Sequence, residues 1–184
     1  RNQDEFLYEG SYWKRGMIGN SHEYLRDQGL GGRDIDARAQ YFYMATFNSP
    51  AMVWKLIGRG SQYAWGYRDS NGDYLDGGKH YTLNLPGNAP AEKFMSIVVY
   101  CSQTRSMLQT DQPYPNKNNK RDKLITNDDG SIDLYFGPAA PAGKEANWIQ
   151  TVPEKGWFCL LRLYSPTEAW FDKTWRPGEI ELVK

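Results

Sequence analysis

The residues best suited to recognise a small molecule fall into two groups. Tyr63, Trp65 and Tyr67 alternate with Gln62, Ala64, Gly66 and Arg68, so a strand over them lines the rings along one face. Such a stripe reads first as core, where large apolar groups usually go, with a stacking platform for a flat ligand as the functional alternative. The second group is Gln103, Thr104, Arg105, Gln109 and Asp111, with Asn147 and Trp148 further along. Arginine and amide side chains beside aromatics on loops suit a carboxylate or a sugar, the guanidinium supplying a bidentate fork. The structural alternative is that Arg105 pairs with Asp111 or Glu145 and that Asn147 caps loop backbone. The candidate ligand-binding residues are therefore Tyr63, Trp65, Arg105, Gln109, Asn147 and Trp148.

No arrangement for covalent or acid–base chemistry accompanies them, and no catalytic residue is assigned. A hydrolase needs a nucleophile beside a base, or two carboxylates at working separation. Ser61 follows Gly58-Arg59-Gly60, which is a glycine-rich entry into a strand and not a nucleophile elbow. His22-Glu23 is followed by Tyr24-Leu25-Arg26, which is not zinc-protease spacing. Gly77-Gly78-Lys79 ends in His80, where a phosphate loop would carry Ser or Thr for magnesium. Asp69, Asn71, Asp73 and Asp76 surround Gly72 and offer hard oxygens of the kind calcium takes, but the terminal bidentate Glu is missing. A hairpin turn whose Asp and Asn satisfy local backbone explains them better, and Asp128, Asp129 and Asp133 take the same explanation. No metal and no cofactor is expected.

The 22 Lys and Arg balance the 22 Asp and Glu, so the long-range field that gathers nucleic acid or anionic membrane is missing. The basic run from Lys117 to Lys123 sits among prolines and asparagines and reads as a solvated loop. The longest apolar run, Phe94 to Cys101, is strand-sized and far short of a membrane span. Two cysteines, Cys101 and Cys159, are too few for a disulfide-dense scaffold or a structural zinc site. Buried free thiols are favoured over a disulfide. The start at Arg1, with no Met and no signal sequence, suggests a processed protein, a trimmed form or a fragment of a longer one.

What must position the candidate residues is a set of short strands. The first thirty or so residues read as broken helix or packed loop. Asp34 can cap a helix in which Ile35, Ala39, Phe42 and Thr46 share one face until Pro50 stops it. Strands are then predicted over 61–68, with Asn71-Gly72 as a tight turn, and over 80–85, 94–100, 131–136, 147–151, 157–164 and 179–183. The segment 102–127 is longer than a connection needs, so it is either a functional loop or a strand with extensions. These elements predict a mainly β protein: an antiparallel, jelly-roll-like β-sandwich with a short N-terminal helical segment. Residues 1–50 form the helical flank and 51–184 the β domain.

Six runs taken together resemble the bacterial domain-of-unknown-function 1214 family. They are Ala37-Arg38-Ala39-Gln40-Tyr41-Phe42-Tyr43, Gly60-Ser61-Gln62-Tyr63, Asp76-Gly77-Gly78-Lys79, the run from Gln103 to Leu108, the run from Gly143 to Thr151, and Trp175-Arg176-Pro177-Gly178-Glu179. The resemblance implies a jelly-roll domain that forms the C-terminal half of longer, often exported proteins, after an N-terminal domain of unknown function 1254. It therefore implies a periplasmic or secreted location, and it carries over no catalytic residues. Three functions follow as expectations. The first is an accessory module, packed on an N-terminal partner domain of the same precursor or on a homologous chain, that binds a polar or glycan-like small molecule. The second is part of a hydrolase whose site lies between the two domains, and the third is a unit for assembly with copies of itself.

Overall fold

The computed structural model describes residues 6–45 and 47–183, and every statement below concerns those residues. Nine strands form two sheets. β1 (Trp13–Arg15), β2 (Ser61–Gly66), β8 (Trp157–Pro166), β4 (Ala91–Cys101) and β5 (Asn116–Asn118) lie side by side in that order in one sheet. β7 (Trp148–Gln150), β6 (Ile132–Gly137), β3 (Tyr81–Leu85) and β9 (Ile180–Leu182) make the other. The two sheets pack as a mainly β sandwich, as the alternating runs predict. Pairing is antiparallel except between β6 and β7, which run parallel. The residues between them, including Pro138, Pro141 and Gly143, are enough for a crossover rather than a hairpin.

The core lies between the sheets. β8 sends Trp157, Cys159, Leu161 and Leu163 inward, and β4 supplies Met95, Ile97 and Val99 beside them in register. β3 and β6 close the other side with Tyr81, Leu83, Leu85, Leu134 and Phe136. β8 and β4 each read as almost continuous apolar runs because their outward faces are largely covered too.

Several local readings change. β1 is a strand that the sequence pattern did not show, and the long segment 102–127 holds a strand with extensions, β5; each has three residues. The turn at Asn71-Gly72 is not a two-residue turn with both residues left-handed. The Gly72 amide donates to the Asp69 carbonyl and Gly72 alone is left-handed at φ 88°, giving a three-residue turn closed by glycine. α1 (Ile35–Phe42) starts where expected, with Asp34 Oδ1 accepting from the Ala37 amide at 2.9 Å. Its buried face, however, is Ala37 and Tyr41, while Ile35 and Phe42 are 60% and 75% exposed. Thr46, placed on that predicted face, lies outside the described residues. Pro50 does not stop α1, which ends eight residues earlier; it opens α2 (Pro50–Val53), where its missing amide costs no hydrogen bond. α3 (Glu168–Phe171) follows β8.

Candidate functional site

β2 decides where the aromatic stripe points. Ala64 pairs with Leu161 and is fully buried in the inter-sheet core, so by strand alternation Tyr63 and Trp65 face the other way. The stripe is therefore on the outer face of the five-stranded sheet, and Ala64 and Gly66 occupy the core face. On that outer face β8 places Phe158, Leu160, Arg162 and Tyr164, and β4 places Phe94, Ser96, Val98 and Tyr100. Phe158 stacks between Tyr67 at 4.8 Å and Tyr100 at 5.2 Å, and Phe94 stacks on Tyr164 at 4.2 Å. Arg162 stands in the middle, with Tyr63 on one neighbouring strand and Ser96 on the other.

The chain around α1 and α2 roofs this face. Tyr41, Met44 and Met52 cover the strands, and Gly16 lies so close to the Trp65 ring that a Cβ there would come within 2.2 Å of it. Between roof and sheet is a cavity of about 660 Å³ whose lining includes Tyr41, Tyr63, Trp65, Tyr100, Arg105 and Arg162. A second cavity of about 430 Å³ shares Tyr41, Tyr63 and Trp65 with it and adds Arg15, Lys55 and Lys173. Burial pushes the phenols of Tyr41, Tyr100 and Tyr164 up from their ordinary value, against the opposing pull of Arg162 on the last two. Their hydroxyls stay neutral at any ordinary pH; that of Tyr41 donates to the Phe47 carbonyl at 2.9 Å and that of Tyr164 accepts from Arg162. The Tyr63 hydroxyl is hydrogen-bonded to the Ser61 hydroxyl at 2.7 Å.

Three of the residues singled out from sequence meet here: Tyr63, Trp65 and Arg105. Trp65 is 4% exposed and packs under the roof, while Tyr63 is half-buried. Arg105 pairs with neither expected carboxylate. Its guanidinium lies 5.7 Å over the Phe158 ring, Asp111 is held by Gln150, and Glu145 accepts from the Gly143 amide. The other three lie elsewhere. Gln109 lines a separate shallow surface pocket with Asp111 and Gln112. Asn147 is 3% exposed and fully used by backbone: its Oδ1 accepts from the Ile125 amide and its Nδ2 donates to the Ile125 and Asp133 carbonyls. Trp148 Nε1 donates to the Gly137 carbonyl. Gln112 seals the edge of β7, accepting from the Gln150 amide and donating to the Trp148 carbonyl.

The remaining candidates are structural. Asp69, 1% exposed, accepts from the Asn71 and Asp73 amides, and Asp76 accepts from the Gly78 amide. Asp129 accepts from the Ser131 amide, and Asp133 is held by Asn84 and Asn127. Among the described residues no group of three His, Cys, Asp or Glu is placed to hold a metal ion. His22 packs edge-on to Trp54, and the His80 ring lies against Gly137. Cys101 and Cys159 are free thiols. No helix of the described residues is long and apolar enough to cross a membrane. Sequence reading missed Arg162, Tyr100 and Tyr164, although one charge inside the apolar run of β8 was a usable sign that the outer face is not core.

The family model described as "Protein of unknown function (DUF1214)" matches residues 60–168, more than half of the chain. The chain belongs to the DUF1214 family. That match holds β2, β4, β8 and Arg105, and so the floor of the cavity, while the α1 and α2 roof precedes it. Among solved structures, the DUF1214 chain is similar to the VPA0106 protein of Vibrio parahaemolyticus, at 22% identity and a TM-score of 0.63 over 90% of this chain. That overlap covers 40% of the Vibrio chain, so the sequence spans about two-fifths of that relative's length. An uncharacterized protein from Burkholderia cenocepacia aligns at 18% identity and a TM-score of 0.43, over 74% of this chain and 30% of that one. No curated protein matches the chain by sequence.

Proposed function

We propose that this DUF1214 domain is a non-catalytic, ligand-binding module of a larger exported protein, and that its site is the cavity between α1, α2 and the outer face of the five-stranded sheet. The observation that carries the reading is the direction of Tyr63 and Trp65, which point out of the sandwich core and into that cavity. A volume of about 660 Å³ with mixed aromatic and polar lining suits one small molecule. The ligand is a small polar or glycan-like molecule with a flat face to lay against the rings. Among the described residues the lining holds tyrosines, arginines and a glutamine but no carboxylate or histidine, which favours binding over hydrolysis.

The partner in this reading is the upstream domain of unknown function 1254, packed on the N-terminal flank. Ile35, Phe42, Tyr43 and Phe47 of that flank are each at least 60% exposed, an apolar surface of the kind another domain covers. Export to the periplasm or the medium rests on the family resemblance alone. The alternative, a hydrolase site between the two domains, would draw its nucleophile or carboxylate pair from the partner.

Saturation-transfer NMR on the full-length protein, with a panel of monosaccharides, disaccharides and ring-bearing polar molecules, tests the reading. Binding should weaken about tenfold or more in Tyr63→Ala, with the melting curve otherwise retained. Ligands that bind equally well to Tyr63→Ala would place the site elsewhere. Turnover of glycoside or ester substrates that survives Tyr63→Ala would favour the hydrolase.

A further inference from the structure

We propose that the ligand of this cavity is an anion: a carboxylate carried on a ring with an apolar face, with Arg162 as its anchor and Arg105 at the mouth. The inference rests on the cavity being the ligand site and adds the chemical class that it selects.

Charge distribution is the first argument. The chain as a whole is balanced, 22 cations against 22 anions, yet the cavity lining includes Arg105 and Arg162 and, among the described residues, no carboxylate. The adjoining cavity repeats the pattern with Arg15, Lys55 and Lys173, of which Lys55 is paired with Glu168. Such one-sided linings in a neutral molecule raise the local concentration of anions.

Arg162 supplies the second argument. It occupies a strand whose flanking residues Leu161 and Leu163 are fully buried, and its Nη2 donates to the Tyr164 hydroxyl. Its Nε is buried with no acceptor. A guanidinium held among rings without a carboxylate leaves charge and donors uncompensated, a cost that a bound carboxylate would offset through a two-pronged contact. Binding would exchange the Tyr164 contact for one to the ligand, because Arg162 already lines the cavity. The body of the ligand is set by the floor, where Phe158 lies in a stack with Tyr67 and Tyr100. Arg105, exposed and over the Phe158 ring, is placed to meet the anion as it enters.

Two sources share this chemistry, an aromatic acid and an acidic sugar. Matched probes separate them: benzoate against benzamide, and glucuronate against glucose, titrated into the full-length protein by calorimetry and NMR. In at least one pair the acid should bind about tenfold or more tightly than its neutral partner, the range of a charge-assisted contact. Arg162→Gln should erase that difference. The Arg162 Nε–H resonance of the wild-type protein should move with the acid and not with the neutral probe, a readout that stands even if the variant does not fold. Equal binding of acid and neutral partner overturns the anion and leaves the cavity as the site. An acid preference that persists in Arg162→Gln overturns the anchor. If neither pair perturbs any cavity residue at millimolar concentration, the cavity itself is the wrong site.

Discussion

Asn147 and Asp69 show how polar residues that sequence reading weighs as candidate ligands can belong wholly to the scaffold. Both are almost fully buried, and in both Oδ1 accepts from backbone amides. Asn147→Ala removes the partner of three backbone groups and should lower stability by about 2–3 kcal/mol in urea denaturation, without changing the affinity of any ligand that Tyr63 binds. Asp69→Ala should cost about 2 kcal/mol by undoing the turn that joins β2 to β3, a drop of several degrees in the melting temperature for a chain of this length. The two thiols differ in a way that chemistry can read. Burial pushes Cys159 up to about 12, whereas the Thr104 hydroxyl and neighbouring amides hold Cys101 below its ordinary value. At pH 7.5 a disulfide reagent such as DTNB should therefore titrate one thiol, Cys101, in the native protein and the second only in denaturant.

Two short elements, one of which has no periodic pattern, help to cover the outer face of the five-stranded sheet. β1 pairs its three residues with β2, which brings Gly16 against the Trp65 ring. Gly16→Ala places a methyl inside that contact, so either the roof or the indole must move. The expected result is a loss of about 1–3 kcal/mol and a red shift in tryptophan emission as Trp65 gains water. α1 is held by one cap and a small cluster, Met17, Tyr41 and Val53, separate from the main core. Its amides should exchange with solvent before those of β4 and β8, and hydrogen-exchange mass spectrometry resolves the two sets. Equal protection would mean that the roof unfolds only with the sandwich.

At the scale of the whole molecule, the strand inventory was largely legible and the functional geometry was not. The strands predicted from alternation and turn residues at 80–85, 94–100, 131–136 and 157–164 reappear within a few residues as β3, β4, β6 and β8. Local alternation and glycine, proline and asparagine punctuation act within one segment, so they survive without tertiary information. The three-residue strand β1 escaped, and β5 could not be told from loop, because pairing with a neighbour, not local composition, makes them strands. Alternation also says that Tyr63 and Trp65 share a face without saying which sheet surface that face becomes. Only the register of β2 on β8, with Ala64 against Leu161, turned the aromatics outward. The same holds for Gln109, Asn147 and Trp148: their chemistry was readable, but their neighbours come from segments far apart in the chain. What the sequence by itself determined is a mainly β DUF1214 chain with balanced charge and its best polar and aromatic candidates. The tertiary structure alone decided that Tyr63, Trp65, Arg105 and Arg162 share one cavity, because bringing them together depends on sheet order and on a roof contributed by residues outside the sandwich strands.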